Sequence, residues 1–180
     1  MENLNFTPFP DLETQRLHLR QLKKEDANEI FILRSDESVN KFLDRQKAKT
    51  IEDALQHIDK INTGINNNEN IQWAITLKDT PVLIGTISLW NIVKENDCAE
   101  IGYELLPQFQ RKGIMQEALS KVLVYVFENL KFKTIEAWLN TDNLRSIKLL
   151  EKNNFARDFD AENKFDKIDN ANMIIYSLKK

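Results

Sequence analysis

The stretch Leu105-Leu106-Pro107-Gln108-Phe109-Gln110-Arg111-Lys112-Gly113-Ile114-Met115 decides how this chain folds. Before it, Ile101, Tyr103 and Leu105 alternate with Glu100, Gly102 and Glu104, the period of a strand with two different faces. After it, Met115, Ala118, Leu119, Val122, Val126 and Leu130 share one face of a helix expected from about Lys112 to Leu130. A helix that starts straight after a strand presents its first N–H groups without partners, and its dipole adds partial positive charge there. Gly113 permits a positive φ and a close backbone approach, and Arg111 and Lys112 add cationic side chains. The combination suits a pyrophosphate. It is not a Gly-x-x-x-x-Gly-Lys-Ser/Thr loop, nor does it have the three spaced glycines of a dinucleotide fold.

Upstream, Ile71–Leu77, Val82–Val93 and Cys98–Leu106 read as three strands, joined by the short polar links Lys78–Pro81 and Lys94–Asp97. Earlier still, Leu17 and Leu19 alternate with His18 and Arg20 as a first strand, and Ala27, Ile30, Phe31 and Leu33 keep helical spacing. Thr50 caps a second helix with Ile51, Ala54, Leu55, Ile58 and Ile61 on one face, and the asparagine-rich run 62–70 reads as a loop. Downstream come a strand over Thr134–Leu139, a helix over Leu144–Asn153 and a closing strand over Asn172–Leu178. This order predicts an α+β fold: a mixed, mostly antiparallel central sheet flanked by helices, in one domain spanning residues 1–180.

Composition narrows the function. With 42% hydrophobic and 29% charged residues the chain is ordinary globular material, and a net charge of −3 leaves no general basic face for nucleic acid. Its lone Cys98, with His18 and His57 far apart in sequence, offers no metal spacing. Met1–Pro10 lacks the basic start and apolar run of a secretory signal, and Val122–Phe127 is too short to span a bilayer, so a cytoplasmic protein without membrane contact is expected.

Three blocks carry a resemblance. Gln110-Arg111-Lys112-Gly113-Ile114-Met115 resembles the Gln/Arg-x-x-Gly-x-Gly/Ala signature of the GNAT N-acetyltransferase superfamily, with Met115 in place of the small last residue. Asn140-Thr141-Asp142-Asn143-Leu144-Arg145-Ser146, followed by Glu151-Lys152-Asn153-Asn154-Phe155, is similar to the family's Asn-x-x-Asn-x-x-Ser…Glu-Lys-x-Gly-Phe segment. Thr14-Gln15-Arg16-Leu17-His18-Leu19-Arg20 is similar to the opening of the ribosomal-protein N-terminal acetyltransferase branch. The resemblance implies acetyl-CoA as donor and no metal. It implies that Gln110, Arg111, Lys112, Gly113, Ile114 and Met115 grip the pyrophosphate, that the strand edge at Leu105 and Leu106 pairs with pantetheine, and that Asn143, with Asn140 in support, contacts the cofactor.

Acetyl transfer to an amine needs a neutral nucleophile and a proton for the departing thiolate. Glu100 and Glu104 share a strand face, and partial burial in a central strand would raise a carboxylate toward a useful pKa. Glu100, placed like the glutamate base of similar enzymes, is preferred; a structural hydrogen bond is its alternative role. Ser146 is the expected proton source, because the tyrosine that many relatives carry slightly further along is Leu150 here. The favoured acceptor is a protein N-terminus such as that of a ribosomal protein. Two alternatives stand: a polyamine or aminoglycoside held by Asp36, Glu37 and Asp44, and a non-catalytic acyl-CoA-binding module. Trp90 or Phe42 is expected to line the acceptor groove, and the chain to act as a monomer or homodimer.

Overall fold

A computed structural model describes residues 4–43, 45–164 and 172–180. Its strands are β1 (Leu12–Glu13), β2 (Leu17–Gln21), β3 (Ile71–Leu77), β4 (Thr80–Val93), β5 (Cys98–Leu105), β6 (Thr134–Asn140), β7 (Ala156–Arg157) and β8 (Met173–Lys179). Its helices are α1 (Ala27–Ser35), α2 (Glu37–Asn40), α3 (Ile51–Asn66), α4 (Ile114–Glu128), α5 (Leu144–Lys152) and α6 (Phe159–Lys164). All eight strands form one sheet in the order β1-β2-β3-β4-β5-β6-β8-β7. Every neighbouring pair is antiparallel except β5 and β6, which run parallel as the α4 crossover requires.

Helices cover both faces. Ala118, Leu119, Val122 and Val126 of α4 pack in one core with Trp73, Ile75, Ile87, Leu89, Ile101 and Ile135 of the sheet. On the other face Ala27, Ile30 and Leu33 of α1 and Ala54 and Ile58 of α3 pack with Ala74, Leu83 and Leu106. Where β3, β4 and β5 run side by side this second face turns polar. Thr86 lies opposite Glu104, Ser88 opposite both Gln72 and Gly102, and Trp90 opposite Glu100.

The asparagine-rich run corrects its sequence reading. Thr50 does cap α3, accepting from the Asp53 N–H at 3.2 Å, but the helix continues through Asn62 and Gly64 to Asn66. Asn is a poor helix former, yet tertiary packing overrides the preference. A Cβ at Gly64 would sit 1.8 Å from the Asn70 side chain, so only glycine lets Asn70 fold back against the helix. The chain turns afterwards, at Asn68 with φ 57°.

Candidate active site

β5 and β6 pair only at Cys98–Thr134, Ala99–Ile135 and Glu100–Glu136, although both strands run on. Beyond Glu100 they separate, and a cavity of ≈ 510 Å³ fills the opening. Ile101–Leu105 form one wall and Ala137–Leu139 the other. The mouth is the loop into α4. Gln110 is extended, Arg111 has φ 62°, and Gly113, with φ 73°, is the N-cap of α4 without any side-chain cap. A left-handed arginine costs of order 1–3 kcal/mol, so the surroundings must hold it. They do. Gln110 donates to the Leu105 carbonyl at 3.0 Å and accepts from Arg145 of α5 at 3.0 Å. Arg16 donates to the Lys112 carbonyl at 3.0 Å and to Glu117 of α4 at 2.7 Å. The uncapped helix start, aimed from a braced loop at an open cavity, has the donors that a pyrophosphate needs.

Most of the residues singled out in the sequence meet here. Leu105, Gln110, Arg111, Gly113, Ile114, Met115, Asn143 and Ser146 all line this cavity. Asn143 caps α5, its Oδ1 accepting from the Ser146 N–H at 3.2 Å. Four residues fall elsewhere: Glu100, in a neighbouring cavity, and three others. Leu106 is buried in the core beneath α1 and α3, since the alternation of β5 turns it to that face. The Lys112 ammonium sits 5.6 Å from the Phe109 ring centre, away from the lining. Asn140 lies beyond the opening, accepts from the Asp142 N–H at 2.9 Å and lines a second cavity.

That second cavity, of ≈ 1090 Å³, lies between the polar face of the sheet and helices α1 and α3. It shares Phe42, Leu43, Gly102, Tyr103, Glu104 and Trp138 with the first, so the two meet along β5. Glu100 belongs to it, 8% exposed, and accepts a hydrogen bond from Asn91 Nδ2 at 2.9 Å. Burial pushes its carboxyl up to about 7, the Asn91 bond opposing and Glu136 assisting. Glu104 plays a different part. It accepts from Arg45 at 2.6 Å and from Thr86 at 3.3 Å, which ties the segment after α2 to the sheet. Phe42 and Trp90 both line this cavity, and Trp90 is 47% exposed.

Periodicity places Tyr103 only on the apolar face of β5, and the structure gives it more. Its hydroxyl is 2.6 Å from Ser146 Oγ, and burial pushes the phenol up to about 12. The sequence signal for this contact is a phenol on an otherwise apolar stripe, since a buried Tyr hydroxyl normally finds a partner. The acidic groove expected near α2 is absent from the described walls. Asp36 caps α2 by accepting from the Val39 N–H at 2.9 Å, Glu37 faces Lys47, and Asp44 lies outside the described residues. Among the described residues no group of His, Cys, Asp and Glu could hold a metal ion.

Residues 16–156 match the family model for the acetyltransferase (GNAT) domain. The chain belongs to the GNAT acetyltransferase family. Among GNAT relatives it is 37% identical over 150 residues to the uncharacterized N-acetyltransferase YoaA of Bacillus subtilis, covering 83% of this chain and 85% of that protein. The fold superposes with TM-score 0.81 on RimL, a ribosomal L7/L12 α-N-protein acetyltransferase solved with coenzyme A, at 18% identity and 94% and 98% coverage. It superposes with TM-score 0.76 on the ribosomal-protein-S5-alanine acetyltransferase of Vibrio fischeri, at 22% identity and 94% and 96% coverage. The eight-stranded mixed sheet flanked by helices is the GNAT fold, and the chain is an N-acetyltransferase.

Proposed function

We propose that this enzyme transfers the acetyl group of acetyl-CoA directly to the α-amino group of a protein N-terminus, such as that of a ribosomal protein. The observation that carries the reading is Glu100, a buried carboxyl raised to about 7 on the wall of the second cavity, on the same strand as the opening that suits the cofactor and one residue before it begins. Acetyl-CoA supplies an electrophilic thioester when bound. Arg111, Gly113, Ile114 and Met115 hold its pyrophosphate with backbone N–H groups, and the unpaired edge of β5 holds its pantetheine. Bringing the amine to the thioester across the shared wall supplies much of the acceleration without a covalent enzyme intermediate.

Glu100 takes the proton of the attacking amine, directly or through water. An ammonium of pKa near ~8 lies about one unit above this carboxyl, whereas a lysine near ~10.4 lies more than three units above it. The base therefore matches an α-amine better than a side-chain amine. As the C–N bond forms and the C–S bond breaks, Ser146 hands its proton to the thiolate and takes one from Tyr103, whose hydroxyl it touches; water then re-protonates Tyr103, and Glu100 returns the amine's proton to water, which closes the cycle. Similarity in fold to ribosomal-protein acetyltransferases supports the same acceptor class. Cationic walls in the second cavity weigh against polyamines.

Calorimetric titration of acetyl-CoA into the protein and its Gly113→Glu variant, followed by thiol release with α-amine peptides, tests this. Micromolar binding lost in the variant, together with turnover, is the expected result. Failure of the folded wild-type protein to bind would overturn it.

A further inference from the structure

The second cavity is out of character with the protein around it. On a chain of net charge −3, Arg34, Lys41, Arg45 and Lys60 all line it, with His57 among them. Two carboxylates face these cations. Glu104 is matched to Arg45 at 2.6 Å, and Glu100 is held toward its neutral form by burial. That leaves Arg34, Lys41 and Lys60 in no close ion pair among the described residues. Burial and the nearby Arg45 lower the Arg34 guanidinium below its ordinary pKa, with Glu104 only partly compensating. His57 is pushed down to about 3 by burial and by Arg34, Arg45 and Lys60, so it stands as a neutral imidazole able to donate one hydrogen bond. Such a cluster opposes folding by self-repulsion unless an anion relieves it, and low-dielectric walls focus its field on whatever enters.

The placement has direction. Arg34 projects from α1 and His57 and Lys60 from α3, whereas Glu100 and Tyr103 stand on β5 across the cavity. Asn70, packed against Gly64 of α3, lines the same space. A molecule bound here meets a proton acceptor at its amine end and a set of cations at the other. The volume of ≈ 1090 Å³ holds far more than a simple alkylamine.

We infer that the acceptor is an α-amine carrying its own anion, a phosphate or carboxylate, which docks on Arg34 and Lys60 while the amine faces Glu100. The inference rests on the acetyltransferase reading and specifies its substrate. A guanidinium pairs with phosphate or carboxylate through two parallel hydrogen bonds, so Arg34 sets orientation as well as affinity. Polycationic amines are repelled by the same wall.

The test uses matched amines at saturating acetyl-CoA, with thiol release as the readout. One arm compares serine amide with its O-phosphate; the other compares Ala-Asp-Asp amide with Ala-Asn-Asn amide. The anionic member should show a kcat/KM about ten- to a hundredfold higher in at least one arm. The arm that responds tells phosphate from carboxylate. Arg34→Glu, and independently the exposed Lys60→Glu, should bring that ratio to about one or below while the KM for acetyl-CoA stays put. Turnover without any anion preference, or a preference that neither substitution reduces, overturns the inference and leaves the acetyltransferase reading standing. Binding of acetyl-CoA with no turnover of any probe removes both.

Discussion

At the scale of single residues, Glu100 ties the chemistry to stability. Its carboxyl is raised from 4.5 to about 7 chiefly by burial, so the basic form accumulates only as pH rises through about 7. We expect kcat/KM to rise with a limb near that pH, and Glu100→Gln to flatten the limb and cut turnover by about 10²-fold or more. The sign for stability is opposite. A carboxyl whose folded pKa is raised costs nothing below its unfolded value of 4.5; the cost grows as pH rises from there to about 7 and is constant above. Glu100→Gln should therefore gain on the order of 2 kcal/mol relative to wild type at pH 8.5 and little at pH 4.5, read as a difference in thermal midpoints. Ser146 and Tyr103 act as a unit through their 2.6 Å contact. Ser146→Ala and Tyr103→Phe should each lower kcat by about tenfold or more, and the double variant should lose far less than the product of the two.

Among elements, the loop into α4 is held from outside itself. Arg16, just ahead of β2, reaches both the Lys112 carbonyl and Glu117, and Glu117 also accepts from Thr14 Oγ1 at 2.5 Å and the Arg16 N–H at 2.9 Å. Arg16→Ala removes the brace without touching the cavity lining. It should weaken acetyl-CoA binding by about tenfold in calorimetry with little change in kcat at saturation. The elements themselves are largely legible in the sequence. β3 falls on Ile71–Leu77 as its β-branched pattern predicts, and α4 is shorter than its stripe suggests because Gly113, in the left-handed region, sets its start. Periodicity sees which face of a strand is buried but not what lies across from it. Hence Glu100 is readable, while the Tyr103–Ser146 contact, 43 residues apart in sequence, is not. The cations of α1 and α3 look like ordinary solvated helix positions until the fold brings them together over β5.

For the whole molecule, ligand and fold are linked. A protein that binds acetyl-CoA only when folded gains RT ln(1 + [L]/Kd), about 2.7 kcal/mol at a hundredfold excess over Kd. The thermal midpoint should climb with acetyl-CoA concentration, and Gly113→Glu should stay flat across the same range. Charge is unevenly spread: the chain is acidic in sum, yet the larger of the two cavities that meet along β5 collects cations. The sheet is unevenly built as well. A sheet pulled across its strands is only as strong as the ladder that joins its two halves, and here that ladder is three residue pairs between β5 and β6. The strands before α4 and those after it form two leaves of one book, joined by the crossover helix and a short stitched spine. Under load the book opens along that spine, and a molecule lying between the leaves carries tension that the backbone there does not.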